Sequence, residues 1–177
     1  MSSPDDGGTP ARTRTWWHPL LVRLLEHELS PAFEVRDEVR VGTLPLRADI
    51  LLVGRGAAEI PDSARRSFRA LTERLNRWTL IEFKSPVDVL GRGDLGRLLG
   101  VSHLFEAQQP DNILASELSL VVLGPALAGP FAVDLQHLGL HLPEDEPGVW
   151  RIEGGLFTTW LLELDRLTRP DEPGLTV

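Results

Sequence analysis

The chain has 177 residues, 42% of them hydrophobic, no cysteine and a formal net charge of -8 at pH 7. That is enough apolar material for one domain with a sizeable core, and the lack of cysteine excludes disulfides, a thiol nucleophile and a zinc–thiolate site. The acidic balance argues against indiscriminate adhesion of the whole surface to nucleic acid, while leaving room for a local basic patch.

Residues 1–15, "MSSPDDGGTPARTRT", have no apolar h-region and read as a disordered leader. A single domain is expected over 16–168, with a flexible tail over 169–177. No run approaches the length of a membrane span, so a cytoplasmic protein without a membrane partner is expected. The stretch "WWHPLLVRLLEHELS" predicts the first helix, with Leu20, Leu21, Leu24, Leu25 and Leu29 over one half of its circumference. Glu28 falls near the middle of that apolar arc, an unusual place for an acid.

"FEVRDEVRV" alternates, placing Phe33, Val35, Val39 and Val41 on one face of a strand. "LPLRADILLV" follows a short turn and predicts an antiparallel partner, with Leu46, Ala48, Ile50 and Leu52 on one face and Arg47, Asp49 and Leu51 on the other. "DSARRSFRALTERLNR" predicts a helix capped by Asp62 or Ser63, with Ala64, Phe68, Leu71 and Leu75 as its apolar stripe. A strand over 78–84, a helix from Asp94 to Gln108 and the strand "ELSLVVLG" form a βαβ unit with a parallel pair. Further on, the pattern predicts short strands near 137–142 and 149–153, then an amphipathic helix carrying Phe157, Trp160, Leu161, Leu164 and Leu167. The sum is an α/β protein with a mixed central sheet flanked by helices.

One strand breaks its own pattern. "TLIEFKSP" is apolar enough to be buried on both faces, yet carries Glu82 and Lys84 two residues apart, hence on the same face. Asp49 lies on a neighbouring strand. Two carboxylates at 4 Å repel by roughly 1–4 kcal/mol, and a shared proton, an ammonium or a divalent cation must offset that. The bland alternatives are an exposed ion pair for Glu82 and Lys84, an Arg47-paired surface residue for Asp49, and a frayed helix end for Glu28.

Asp49 followed by Glu82-x-Lys84, on strands behind an initial helix bearing Glu28, resembles the PD-(D/E)xK nuclease superfamily. The resemblance spans Trp16 to Leu123 and implies a restriction-endonuclease-like αβββαβ core. It departs from the family in lacking Pro before the Asp, since Asp49 follows Arg47-Ala48. It implies that Asp49, Glu82 and the Phe83 carbonyl hold Mg²⁺ (or Mn²⁺), that Lys84 assists the hydrolytic water, and that Glu28 supports the site. The activity expected is Mg-dependent phosphodiester hydrolysis of nucleic acid, with DNA the favoured substrate and a homodimer plausible by analogy. The alternative is a catalytically inactive module of the same fold that binds nucleic acid or protein.

Arg65, Arg66, Arg69 and Arg77 cluster opposite Phe68 and Leu71, as a local phosphate-binding face or a plain solvated one. Gly91-Arg92-Gly93-Asp94-Leu95-Gly96 matches G-x-G-x-x-G, but six residues including Pro86 separate it from the strand, where a dinucleotide fingerprint needs a tight turn. A flexible loop beside the site is expected instead. The five histidines show no metal-ligand spacing, and the tryptophans read as core anchors.

Overall fold

The computed structural model describes residues 17–41, 46–85, 90–109, 113–127 and 129–167. The expected leader and tail, and Trp16, lie outside them. Helix α1 is Trp17–Leu29, followed by β1 (Phe33–Val41) and β2 (Leu46–Gly54). Two short helices, α2 (Asp62–Ser67) and α3 (Arg69–Thr72), precede β3 (Trp78–Phe83), α4 (Asp94–Gln108) and β4 (Leu118–Gly124). The chain continues through α5 (Gly129–His137), β5 (Glu144–Glu146), β6 (Val149–Ile152), β7 (Thr158–Glu163) and α6 (Leu164–Leu167).

The seven strands form one sheet in the order β1-β2-β3-β4-β7-β6-β5. The centre, β3-β4-β7, is parallel, while β1 and β2 on one side and β6 and β5 on the other pair antiparallel. The fold is therefore mixed α/β, with the expected hairpin and βαβ unit in place. Every residue of β4 is buried, which explains its almost unbroken apolar run.

Two cores sandwich the sheet. On one face Val22, Leu25 and Leu29 of α1 meet Ile50, Leu52, Ile81 and Val121, with Ala64, Phe68 and Leu71 alongside. On the other, Leu95, Leu98, Val101 and Phe105 of α4 meet Leu51, Leu80, Leu120 and Val122. Thus α1 and α4 cover opposite faces.

Several expectations are corrected. The segment 158–163 is a strand, β7, rather than a helix; it lies inside the sheet between β4 and β6, and its apolar residues on both parities suit a strand covered on both faces. The region 137–142 is the end of α5 and an isolated bridge from His141 to Glu153. The continuous helix expected over 62–77 breaks at Phe68 (φ -128°, ψ 39°) and ends at Thr72. On α1, Leu20 (44% exposed) and Leu24 (36%) lie off the core.

Strand β1 also fails to keep one face. Phe33 and Val35 pack with the α1 core, but Val39 packs with the α4 core. The switch occurs at Glu38, a non-glycine residue at φ 46°. A left-handed residue disrupts the strict up–down alternation of a strand, at a cost of about 1–2 kcal/mol. Its counterpart in the β1–β2 register is Asp49, where the ladder skips from Asp37↔Ile50 to Val39↔Ala48.

Candidate functional site

The site forms where β2 and β3 part company. Their ladder runs from Val53↔Trp78 to Ile50↔Ile81. One step further in the same register, Asp49 faces Glu82. There the Phe83 N–H has left the ladder, and Asp49 Oδ2 accepts it at 2.9 Å, so a side chain replaces the missing strand carbonyl. On the other flank the Lys84 N–H donates to Leu123 O at 2.7 Å, extending β3 against β4. These two bonds fix the Glu82-Phe83-Lys84 backbone at the carboxyl edge of the parallel strands, where open α/β sheets usually seat ligands.

Glu82 and Lys84 share the parity of Leu80, which packs into the α4 core, so they meet the first turn of α4. Lys84 is fully buried, and its Nζ lies 3.3 Å from Glu82 Oε1 and 3.2 Å from Asp94 Oδ1. Arg97, one turn along α4 from Asp94, brings its Nη2 to the same Glu82 oxygen and to within 3.4 Å of the same Asp94 oxygen. Asp94 Oδ2 accepts the Gly91 N–H at 2.8 Å. Three carboxylates and two cations therefore share one small volume.

The charges pull the acids apart. Burial, then repulsion from Asp49, pushes the Glu82 carboxyl above its ordinary value, against the pull of Arg97 and Lys84. At Asp94 burial acts in the same upward sense but is outweighed by the Gly91 N–H, Lys84 and Arg97, which hold its carboxyl below the ordinary value. Burial disfavours the charged form of Arg97 too, but Glu82 and Asp94 outweigh it and raise its affinity for the proton.

Of the residues picked out in the sequence, Asp49, Glu82, Phe83 and Lys84 come together. Glu28 does not join them through any contact among the described residues: it sits on α1, across the sheet from α4, half-buried and 4.0 Å from His27 Nε2. The apolar arc had pointed it inward, but inward from α1 means toward the wrong face of the sheet. Phe83 directs its ring away from the acids into an apolar cavity of about 250 Å³, lined also by Trp17, Leu20, Leu24 and Leu71.

The arginines do not make a phosphate-binding face. Arg65 donates to Ile60 O, Arg69 pairs with Glu146 at 3.0 Å, and Arg77 lies beyond α3 and pairs with Glu117 at 3.2 Å. Arg66 is exposed. The helix break at Phe68 destroys the shared face on which the cluster was predicted.

The glycine loop is likewise tied down. The N–H groups of Gly91 and Gly93 donate to the carboxylates of Asp94 and Asp134, so the amides a phosphate would need already hold anions. Gly93 is left-handed (φ 84°), a conformation that suits glycine, and it opens α4.

Asp94 and Arg97 are the site residues that sequence reasoning passed over. Their i, i+3 spacing at the start of a helix was readable as a same-face ion pair; what the spacing lacked was any sign that this turn lies over β3. Among the described residues no group of three or more acidic or histidine side chains is arranged to hold a metal ion. The pair Asp49 and Glu82 nevertheless suits Mg²⁺, a hard ion that takes one or two carboxylates and keeps several waters. No helix among the described residues is long and apolar enough to cross a membrane. No protein-family model, curated protein or solved structure matches the chain.

Proposed function

We propose that this protein is a Mg²⁺-dependent phosphodiesterase of the nuclease class acting on nucleic acid, with DNA the favoured substrate, and that its fold is of the restriction-endonuclease type. The observation that carries the proposal is the meeting of Asp49 and Glu82 at the parting of β2 and β3, with Lys84 Nζ 3.3 Å from Glu82. The order helix, three strands, helix, strand in α1 to β4, with two short helices inserted before β3, supports it.

In this proposal Asp49 and Glu82, with the Phe83 carbonyl, would hold the divalent ion. When bound, that ion supplies Lewis-acid polarisation of a phosphoryl oxygen and of the attacking water. Asp49 also clamps the Phe83 amide, so the ligand-bearing backbone is held before any ion arrives. Lys84 is oriented by Glu82 and Asp94, and its ammonium holds the water and stabilises charge growing on the phosphoryl group. The water oxygen bonds to phosphorus as the bond to the leaving sugar oxygen breaks, and a proton passes to that oxygen.

Cleavage of a panel of single- and double-stranded DNA and RNA, with and without Mg²⁺ or Mn²⁺, tests this directly. Wild type is expected to cut only with the ion, and Asp49→Ala and Lys84→Ala to lose at least about a hundredfold, the scale of removing one positioned catalytic group. Equal activity in all three proteins would remove these residues from the chemistry.

A non-catalytic binding module of the same fold is favoured by one observation: Lys84 and Arg97 already compensate Glu82 and Asp94 without any ion. Calorimetric titration with Mn²⁺ separates the two, since a pure scaffold has no need of the ion.

A further inference from the structure

Glu82 Oε1 and Asp94 Oδ1 are each contacted twice, by Lys84 Nζ and by Arg97 Nη2. One cation would suffice to bridge them. The two differ in freedom: the Lys84 side chain is 0% exposed, whereas Arg97 is 28% exposed. Only Arg97 can leave without unpacking the core.

Its departure is also guided. Arg97 stands one turn after Asp94 on the 15-residue helix α4, so a guanidinium released from Glu82 stays tethered beside the acids at the solvent side of the site. A guanidinium carries five N–H donors in a planar fork. Among the described residues Arg97 donates only through Nη2, to Glu82 and Asp94. The Nε–H and the Nη1 donors remain, and once Nη2 leaves the acids the whole Nε–Nη2 fork is released, an edge that matches two oxygens of a phosphate.

We infer that Arg97 is the phosphodiester receptor of this site, parked on Glu82 Oε1 until a divalent cation claims that oxygen. The inference rests on the metal-dependent reading above. It makes ion and substrate binding cooperative: the ion must displace Arg97, and the displaced Arg97 then meets the backbone phosphate. Without the ion the receptor is masked by the acid, which prevents an acidic protein from holding nucleic acid unproductively.

The test uses the full chain as wild type, Arg97→Gln and Arg97→Lys, with two binding readouts. Mn²⁺ alone is titrated calorimetrically. A fluorescent single-stranded phosphorothioate oligonucleotide is then followed by anisotropy with and without Mn²⁺. Because the ion no longer breaks a charged hydrogen bond, Arg97→Gln is expected to bind Mn²⁺ about tenfold more tightly than wild type. Wild type is expected to gain about tenfold in oligonucleotide affinity when Mn²⁺ is added, Arg97→Gln to gain nothing, and Arg97→Lys to gain in part. Mn²⁺ affinity that is unchanged or weaker in Arg97→Gln overturns the parking role, and an undiminished oligonucleotide gain overturns the receptor role. If neither wild type nor Arg97→Gln binds Mn²⁺, the metal site itself fails, and this inference with it.

Discussion

Glu82 is held by opposing forces, and those that favour its neutral form prevail. Burial and Asp49 favour its neutral form, while Lys84 and Arg97 favour its charge. The Lys84 ammonium is enclosed, with Glu82 and Asp94 beside it, the first buried and the second half-buried. Removing it leaves two carboxylates in a poorly solvated place with Arg97 as their remaining cation. Truncating one member of a buried ion pair costs 3–5 kcal/mol, so Lys84→Ala should lose about 3 kcal/mol in urea denaturation. Lys84→Met, which keeps the stem, should lose less while remaining equally inactive on nucleic acid. If the alanine variant unfolded like wild type, the carboxylates would have to be solvated or protonated in the native state.

Elements are joined here by single polar side chains as much as by packing. Glu163, at the end of β7, accepts the Leu127 N–H at 2.6 Å, the Trp150 indole N–H at 2.8 Å and an Arg166 donor at 3.2 Å. It thereby ties β7 to β6 and to the loop after β4. Burial works against its charge, but these donors outweigh burial and hold its carboxyl below the ordinary 4.5. A carboxyl depressed in the folded state contributes stability above its unfolded value, and that contribution disappears as pH falls through the folded value. Glu163→Gln should therefore be about 2 kcal/mol less stable than wild type at neutral pH. The gap should narrow below the ordinary 4.5, read from urea midpoints across pH. A gap independent of pH would mean that lost geometry, not charge, sets the cost. The turn at Glu38 illustrates the same scale differently. Alternation in "FEVRDEVRV" predicted one face, and one left-handed residue divided the strand between two cores opposite Asp49.

Across the whole molecule, a bound ion that links β2 to β3 should stabilise the native state by mass action. At an ion concentration of about a hundred times Kd the gain is about 2.7 kcal/mol, visible as a rise in Tm, and Asp49→Asn should abolish it. An equal rise in both proteins would place the ion elsewhere. Much of the fold was legible from local pattern: α1, the first hairpin, the β3-α4-β4 unit and the same-side pair Glu82 and Lys84 follow from periodicities of 3.6 and 2. The last third was less legible, because β7 is buried on both sides and a two-sided apolar strand has no alternation to distinguish it from a helix. Asp49 and Glu82 could be suspected from the sequence because the family resemblance links them across 32 intervening residues. Which helix covers them could not, and that is why Glu28 was included and Asp94 and Arg97 were passed over. The sequence by itself determined the carriers of charge and the strand on which two of them sit, since side-chain parity is a local property of the backbone. Only the tertiary structure decided that α4 rather than α1 closes over them, because the choice of sheet face depends on how the chain crosses over, and no local spacing encodes that.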